Sequence, residues 1–210
     1  MLTITELFIY PIKSLGGISL TEATLTDRGF EYDRRWMLVD GGNRFLSQRE
    51  LPGMALLQVH LHEQGLFVQH KNKPGVSLLI PFEPTTTETI IVSVWSDRCR
   101  AQPVSAEADA WFSAQLNIPC RLVYMPQATR RRVDGRYATN NEITSFSDAF
   151  PLLLVGQASL DDLNSRLEQP LPMNRFRPNM VFGGGTPFQE DEMKQFSIRN
   201  ITFYGVKPCA

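Results

Sequence analysis

Between Met1 and Arg100 the sequence divides into short β-type runs separated by turn chemistry, a spacing that leaves no room for long helices. The runs are Leu2 to Tyr10, Ile18 to Leu25, Trp36 to Asp40, Ala55 to Leu61, Leu66 to His70, Val76 to Ile80 and Thr89 to Trp95. Separators such as Asp40-Gly41-Gly42-Asn43, Glu63-Gln64-Gly65 and Pro81-Phe82-Glu83-Pro84 supply hairpin and loop residues. A chain patterned this way folds as an antiparallel barrel or sandwich.

The second half mixes element types. Ala106 to Leu116 puts Ala108, Trp111, Phe112 and Leu116 on one helical face, with Glu107 and Asp109 in the first turn, where the helix dipole favours acids. Pro151 to Val155 reads as a short strand. Ser159-Leu160-Asp161-Asp162 then resembles a capping box opening a helix that buries Leu160, Leu163 and Leu167. Asn179 to Phe182 and Ile198 to Val206 are further strand candidates. The expected fold is mainly β with a few helices, and the halves meet somewhere between Trp95 and Pro126.

With 21 basic and 22 acidic residues in 210, the chain has a formal charge of −1 and is not a globally basic nucleic-acid binder. The N-terminus lacks the order of a signal peptide, and no apolar run is long enough for a membrane helix, so a cytoplasmic protein without membrane or nucleic-acid partners is expected. Three widely spaced cysteines, Cys99, Cys120 and Cys209, fit reduced thiols. His60, His62 and His70 lie in β-type runs without a second ligand cluster, so no metal role is assigned to them.

Polar residues interrupt the pattern at strand ends. Lys13-Ser14 follows the first run and can offer an ammonium and a hydroxyl to an anion, although a surface lysine is the plainer reading. In Asp33-Arg34-Arg35-Trp36, strand alternation sends one arginine inward and the other outward. In Phe176-Arg177-Pro178-Asn179, the proline is expected to hold Arg177 extended just before a strand, with a phosphate clamp and a structural arginine as the two readings. Ser145-Phe146-Ser147-Asp148 is a loop able to aim backbone N–H groups at an anion. Arg130-Arg131-Arg132 with Arg136 reads first as a solvated loop and alternatively as a docking patch for an acidic redox partner. Gly183-Gly184-Gly185 reads as a plain turn.

Taken in order, Tyr10-Pro11-Ile12-Lys13-Ser14, Asp33 to Val39, Ser147-Asp148, Ala158 to Leu167, Phe176 to Asn179 and Val206-Lys207-Pro208-Cys209 resemble the MOSC proteins. The resemblance is to the branch that contains the mitochondrial amidoxime reducing component and its bacterial relatives, and it runs the length of the chain. It implies an N-terminal antiparallel β-barrel-like domain, 1–100, followed by a MOSC β-barrel domain, 101–210, incomplete and truncated at its C-terminus. A molybdopterin, the molybdenum cofactor, is expected between them.

By this resemblance Lys13, Ser14 and Arg35 hold the pterin and its phosphate from one side, and Arg177 with Asn179 from the other. Ser147, Asp148 and the amides around Ala149 line the pocket, with Ala149 and Phe150 contributing backbone where some members carry hydroxyls. The implied activity is an oxidoreductase that reduces N-hydroxylated compounds such as amidoximes and N-hydroxylated bases. Its electrons come from a haem or iron–sulfur protein, and Asp148 is the expected proton donor. A cofactor carrier or sulfur-transfer module without turnover is the alternative, and a β-rich module using its arginine loop for a macromolecular partner is a third. The family's metal ligand is the second cysteine of a Cys-x-Arg-Cys motif. Cys209 matches the first, so no metal ligand is assigned and the sequence is expected to be part of a longer protein.

Overall fold

The structure is a computed structural model that describes residues 1–138 and 140–208. Among these residues the chain is mainly β with two α-helices, as expected from its runs. No helix among them is long and apolar enough to cross a membrane.

The strand Trp36–Val39 explains how the first half builds its core. It pairs with Arg121–Tyr124, which pairs with Asp97–Pro103 and, beyond it, Ile90–Val94. All four residues of Trp36–Val39 are buried, because its two faces meet different apolar layers. Trp36 and Leu38 join Leu57, Val59, Leu66, Val68, Ile80 and Phe112, whereas Met37 and Val39 join Val92, Val94, Ala101 and Val123. Period-two geometry thus puts one short strand into two cores.

The first layer is completed by the meander Leu57–His62, Gly65–His70 and Ser77–Pro81. Burial along Ser77–Pro81 alternates strictly, so Leu78 and Ile80 face inward. Gly65 has φ of 152°, and a Cβ there would lie 1.9 Å from the Ile80 carbonyl oxygen, so only glycine fits this approach. The helix Ala106–Leu116 starts where expected, with the Ser105 hydroxyl accepting from the Ala108 N–H at 3.1 Å.

A second sheet joins the chain's beginning to its later part. Leu154–Gly156 runs parallel to Met180–Gly183, which pairs antiparallel with Thr3–Ile9, itself paired with Ile18–Leu20. Strand pairing therefore crosses the expected division at residue 100, through both Thr3–Ile9 and the Asp97–Pro103 sheet.

Three local expectations are corrected. The helix begins at Gln157, not around Ser159, and Gly156 caps it without a side-chain bond. The Ser159 hydroxyl instead donates to Glu190 Oε2 and accepts from the Phe188 N–H, both at 2.8 Å, a pair of tertiary partners that a local capping pattern cannot reveal. The run Ile198 to Val206 contains only part of a hairpin, Gln195–Ile198 with Ile201–Tyr204, because Arg199 turns the chain at φ of 53°. Arg177, expected to be extended, has φ of 56°. Its N–H bonds the Asn174 carbonyl and its own carbonyl accepts from Arg34, contacts that offset a left-handed cost of about 1–2 kcal/mol.

Candidate functional site

The first strand delivers Lys13 into the interior. After Ile9 the chain docks on Trp36, with the Trp36 N–H donating to the Pro11 carbonyl at 3.0 Å and the Lys13 N–H donating to the Trp36 carbonyl at 2.8 Å. Lys13 Nζ then donates to the Phe146 carbonyl at 2.8 Å and to Asp148 Oδ1 at 2.6 Å. Burial pushes the ammonium down from 10.5 to about 8, against the opposing pull of Asp148. Asp148 is held below the usual carboxylate range; desolvation by the surrounding protein opposes this, and Lys13 outweighs it together with the Trp95 indole N–H, which donates to the same oxygen at 3.0 Å.

Arg34, Arg177 and Tyr10 form the next layer. The Arg34 guanidinium donates to Asp33 Oδ2 at 2.5 Å, to Asn179 Oδ1 at 2.9 Å and to the Arg177 carbonyl at 3.1 Å. Asp33 is fully buried and also accepts from the Tyr10 N–H at 2.8 Å; burial pushes its pKa up, against Arg34. Arg177 donates to the Leu15 carbonyl at 2.6 Å. The Tyr10 ring carries both guanidiniums, Arg177 at 4.1 Å and Arg34 at 4.4 Å from its centroid. Burial and the like charge of Arg34 lower the Arg177 pKa to about 10. Arg177 also feels the charge of Asp148, so it shares the electrostatic neighbourhood of Lys13.

The loop after Ile143–Thr144 is shaped by Arg131, which the sequence suggested was solvated. Arg131 is 5% exposed. Its guanidinium donates to the carbonyls of Ser145, Ser147 and Asp148 at 2.9, 2.5 and 2.9 Å, and pairs with Asp97 at 2.8 Å. The Ser145 and Ser147 hydroxyls lie 3.0 Å apart. With these carbonyls engaged, the N–H groups of Ser147, Asp148, Ala149 and Phe150 meet no acceptor among the described residues. The signal in the sequence was alternation: Arg131 pairs with Thr144 and faces in, while Arg130 and Arg132 are exposed.

Arg35 takes the other face. Its guanidinium donates to the Met125 carbonyl at 2.5 and 3.2 Å and to the Tyr124 hydroxyl at 3.1 Å, and Arg34 is the arginine of this pair that reaches the cluster. Ser14 has φ of 66°, and its hydroxyl has no partner among the described residues. Asn179 is buried and bonds Arg34 and the Leu153 N–H through its side-chain oxygen, so it positions Arg34. Cys209 lies outside the described residues. No cluster of metal-ligating side chains occurs among the described ones.

Residues 1–119 match the MOSC N-terminal beta barrel domain, and residues 141–210 match the MOSC domain. The chain belongs to the MOSC family. Mitochondrial amidoxime-reducing component 1 of Mus musculus is 30% identical over 217 residues, covering 99% of this chain and 63% of that protein. Molybdenum cofactor sulfurase of Oryza sativa subsp. japonica is 30% identical over 224 residues, 97% of this chain and 27% of the sulfurase. This MOSC chain therefore spans less than two thirds of the length of these relatives. A solution structure of a Bordetella bronchiseptica protein is similar over 57% of this chain and 88% of its own, with 21% identity and a TM-score of 0.45.

The charges of the MOSC protein's cluster pair off unevenly. Lys13 has Asp148, Arg34 has Asp33 and Arg131 has Asp97. Arg177 has no carboxylate within ion-pair distance among the described residues, and it is half-buried. A cation held this way, within electrostatic reach of Asp148 in the loop that carries the unengaged N–H groups, is suited to an anion that brings its own charge.

Proposed function

We propose that this chain binds the phosphate and pterin of the molybdenum cofactor at the Lys13, Arg34 and Arg177 cluster, as part of a reductase of N-hydroxylated compounds such as amidoximes. The observation that carries the reading is the unmatched guanidinium of Arg177. Among the described residues its guanidinium's only hydrogen bond is to a carbonyl, which leaves donor capacity for a phosphate. The Ser14 hydroxyl and the N–H groups from Ser147 to Phe150 add neutral donors of the kind that surround bound phosphates. Similarity to the mouse amidoxime-reducing component and the rice molybdenum cofactor sulfurase supplies the choice of molybdenum cofactor and of amidoxime.

When bound, the cofactor would supply the two-electron redox chemistry, with electrons from a haem or iron–sulfur protein. The chain's residues bind and orient. Asp148 is unsuited to donate a proton, because its pairing with Lys13 keeps it ionised. The proton of that pair resides on Lys13 Nζ, whose value of about 8 suits transfer near neutral pH. In this reading Arg34 takes the role expected of Arg35, and Asn179 acts through Arg34.

The test is pterin content per folded chain, for protein isolated from cells that make the cofactor. Arg177→Lys keeps the charge but not the planar fork, so retention should fall about 10- to 100-fold, equivalent to roughly 1.5–3 kcal/mol. An unchanged pterin content with a lowered melting temperature of the pterin-free form would make Arg177 structural and sink the reading. The match to the rice sulfurase favours a second reading, a carrier or sulfur-transfer module. Reduction of benzamidoxime with an artificial electron donor separates the two.

A further inference from the structure

Two guanidiniums rest on one aromatic ring in this protein, and the ring is otherwise enclosed. Tyr10 is 2% exposed, and a Cβ at Gly17 would lie 2.4 Å from its Cε1, so the backbone at Gly17 presses directly on the ring edge. Its hydroxyl is buried with no hydrogen-bond partner among the described residues. Leaving a hydroxyl unpaired costs stability that phenylalanine would spare, so a stability argument alone does not account for tyrosine here. The ring faces do have an account, since each guanidinium lies within reach of a cation–π interaction.

We propose that Tyr10 is a positioning residue whose ring holds Arg34 and Arg177 together as an anion clamp while leaving the charge of Arg177 uncompensated. The proposal rests on the anion-binding reading above and names a further residue for it. Two like charges at one place repel, and burial already lowers the Arg177 pKa. A carboxylate beside Arg177 would relieve both strains, but it would neutralise the clamp and compete with any phosphate. The ring offers negative potential from its quadrupole without a formal charge, so it restrains the guanidinium and leaves its attraction for an anion intact. Asp33 completes the arrangement from the other direction. One of its oxygens accepts from the Tyr10 N–H and the other from Arg34, which fixes the ring's backbone to the arginine it carries.

The experiment varies the ring's electron density at constant shape. Phenylalanine and its difluoro and pentafluoro analogues are incorporated at position 10 of the full chain. Inorganic phosphate is titrated against each, followed through the arginine Nε–H signals by NMR, with thermal unfolding recorded in parallel. Tyr10→Phe is expected to bind phosphate within about twofold of the starting protein and to unfold at the same or a higher temperature. Fluorination should then weaken phosphate affinity stepwise, by about 5- to 30-fold at the pentafluoro ring, on the scale of a desolvated cation–π contact.

Equal affinity across the fluorinated series overturns the positioning role and leaves the cofactor reading standing. A loss at Tyr10→Phe as large as at the pentafluoro ring overturns it too, by assigning the effect to the hydroxyl. If phosphate shifts no arginine signal in the unsubstituted protein, the clamp and the cofactor reading fall together.

Discussion

The Lys13 ammonium lies 2.6 Å from Asp148 Oδ1 across 135 residues of sequence, and the lysine side chain is 7% exposed while the aspartate is 67% exposed. The pair is therefore asymmetric: a buried cation depends on a carboxylate that remains hydrated.

That asymmetry gives a pH dependence with a definite sign. Lys13 loses its proton at about 8 in the folded chain, against 10.5 ordinarily. Between these values only the unfolded chain carries the proton, so this residue makes stability rise with pH across that window and contributes no slope below it. Urea unfolding of the starting protein and Lys13→Met over the window should show the slope in the first and its loss in the second. Asp148→Asn should push the Lys13 value lower still, since the carboxylate holds it up. Direct titration of the Lys13 Nζ signal checks this, and an unchanged or raised value would contradict the pairing.

Arg34 and Arg35 should behave as different residues. Removing Arg34 leaves Asp33 buried without its counter-ion, so Arg34→Leu is expected to destabilise by about 3–5 kcal/mol. Arg35→Leu removes bonds to one carbonyl and one hydroxyl and should cost about 1–2 kcal/mol. Phosphate affinity should fall in the first and hold in the second. Denaturant titrations paired with phosphate binding measure both, and equal effects would remove the distinction.

Arg131→Leu should cost at least about 3 kcal/mol, because three carbonyls and Asp97 lose a buried donor together. The Ser145 to Asp148 loop should also lose its fixed form. Hydrogen exchange at the Ala149 and Phe150 amides reads this, and protection identical to that of the starting protein would show that the loop holds its shape without the arginine.

Ser159 and Glu190 should be coupled. If the hydroxyl only capped its own helix, Ser159→Ala and Glu190→Ala would add. The 2.8 Å bond between them predicts a coupling energy of about 0.5–1.5 kcal/mol in a double-mutant cycle, obtained from the melting of the four variants.

Much of the β architecture was legible because its signals are local. Alternation and turn residues mark Thr3–Ile9, Trp36–Val39, Gly65–His70, Ser77–Pro81 and Ile90–Val94 within a residue or two, and Ser105 with its acidic first turn marks Ala106–Leu116. Asp97–Pro103 and Arg121–Tyr124 escaped notice because both are short of apolar residues outside their inward positions or too brief to stand out.

The sequence by itself determined that this chain is mainly β, that its cations cluster at strand ends, and that its ordered motifs are those of a MOSC protein. Tertiary structure alone decided which member of each adjacent pair faces the site. Alternation was expected to separate Arg34 from Arg35, but Arg34 lies in the turn before Trp36–Val39 at φ of 50°, and each side chain's direction is set by what packs against it: Asp33 and Asn179 on one side, Met125 and Tyr124 on the other. The same reason hid Arg131 within a run of three arginines and gave Ser159 to Glu190. Within a strand, side-chain direction follows from local backbone geometry, whereas burial depends on partners that lie tens to more than a hundred residues away in sequence.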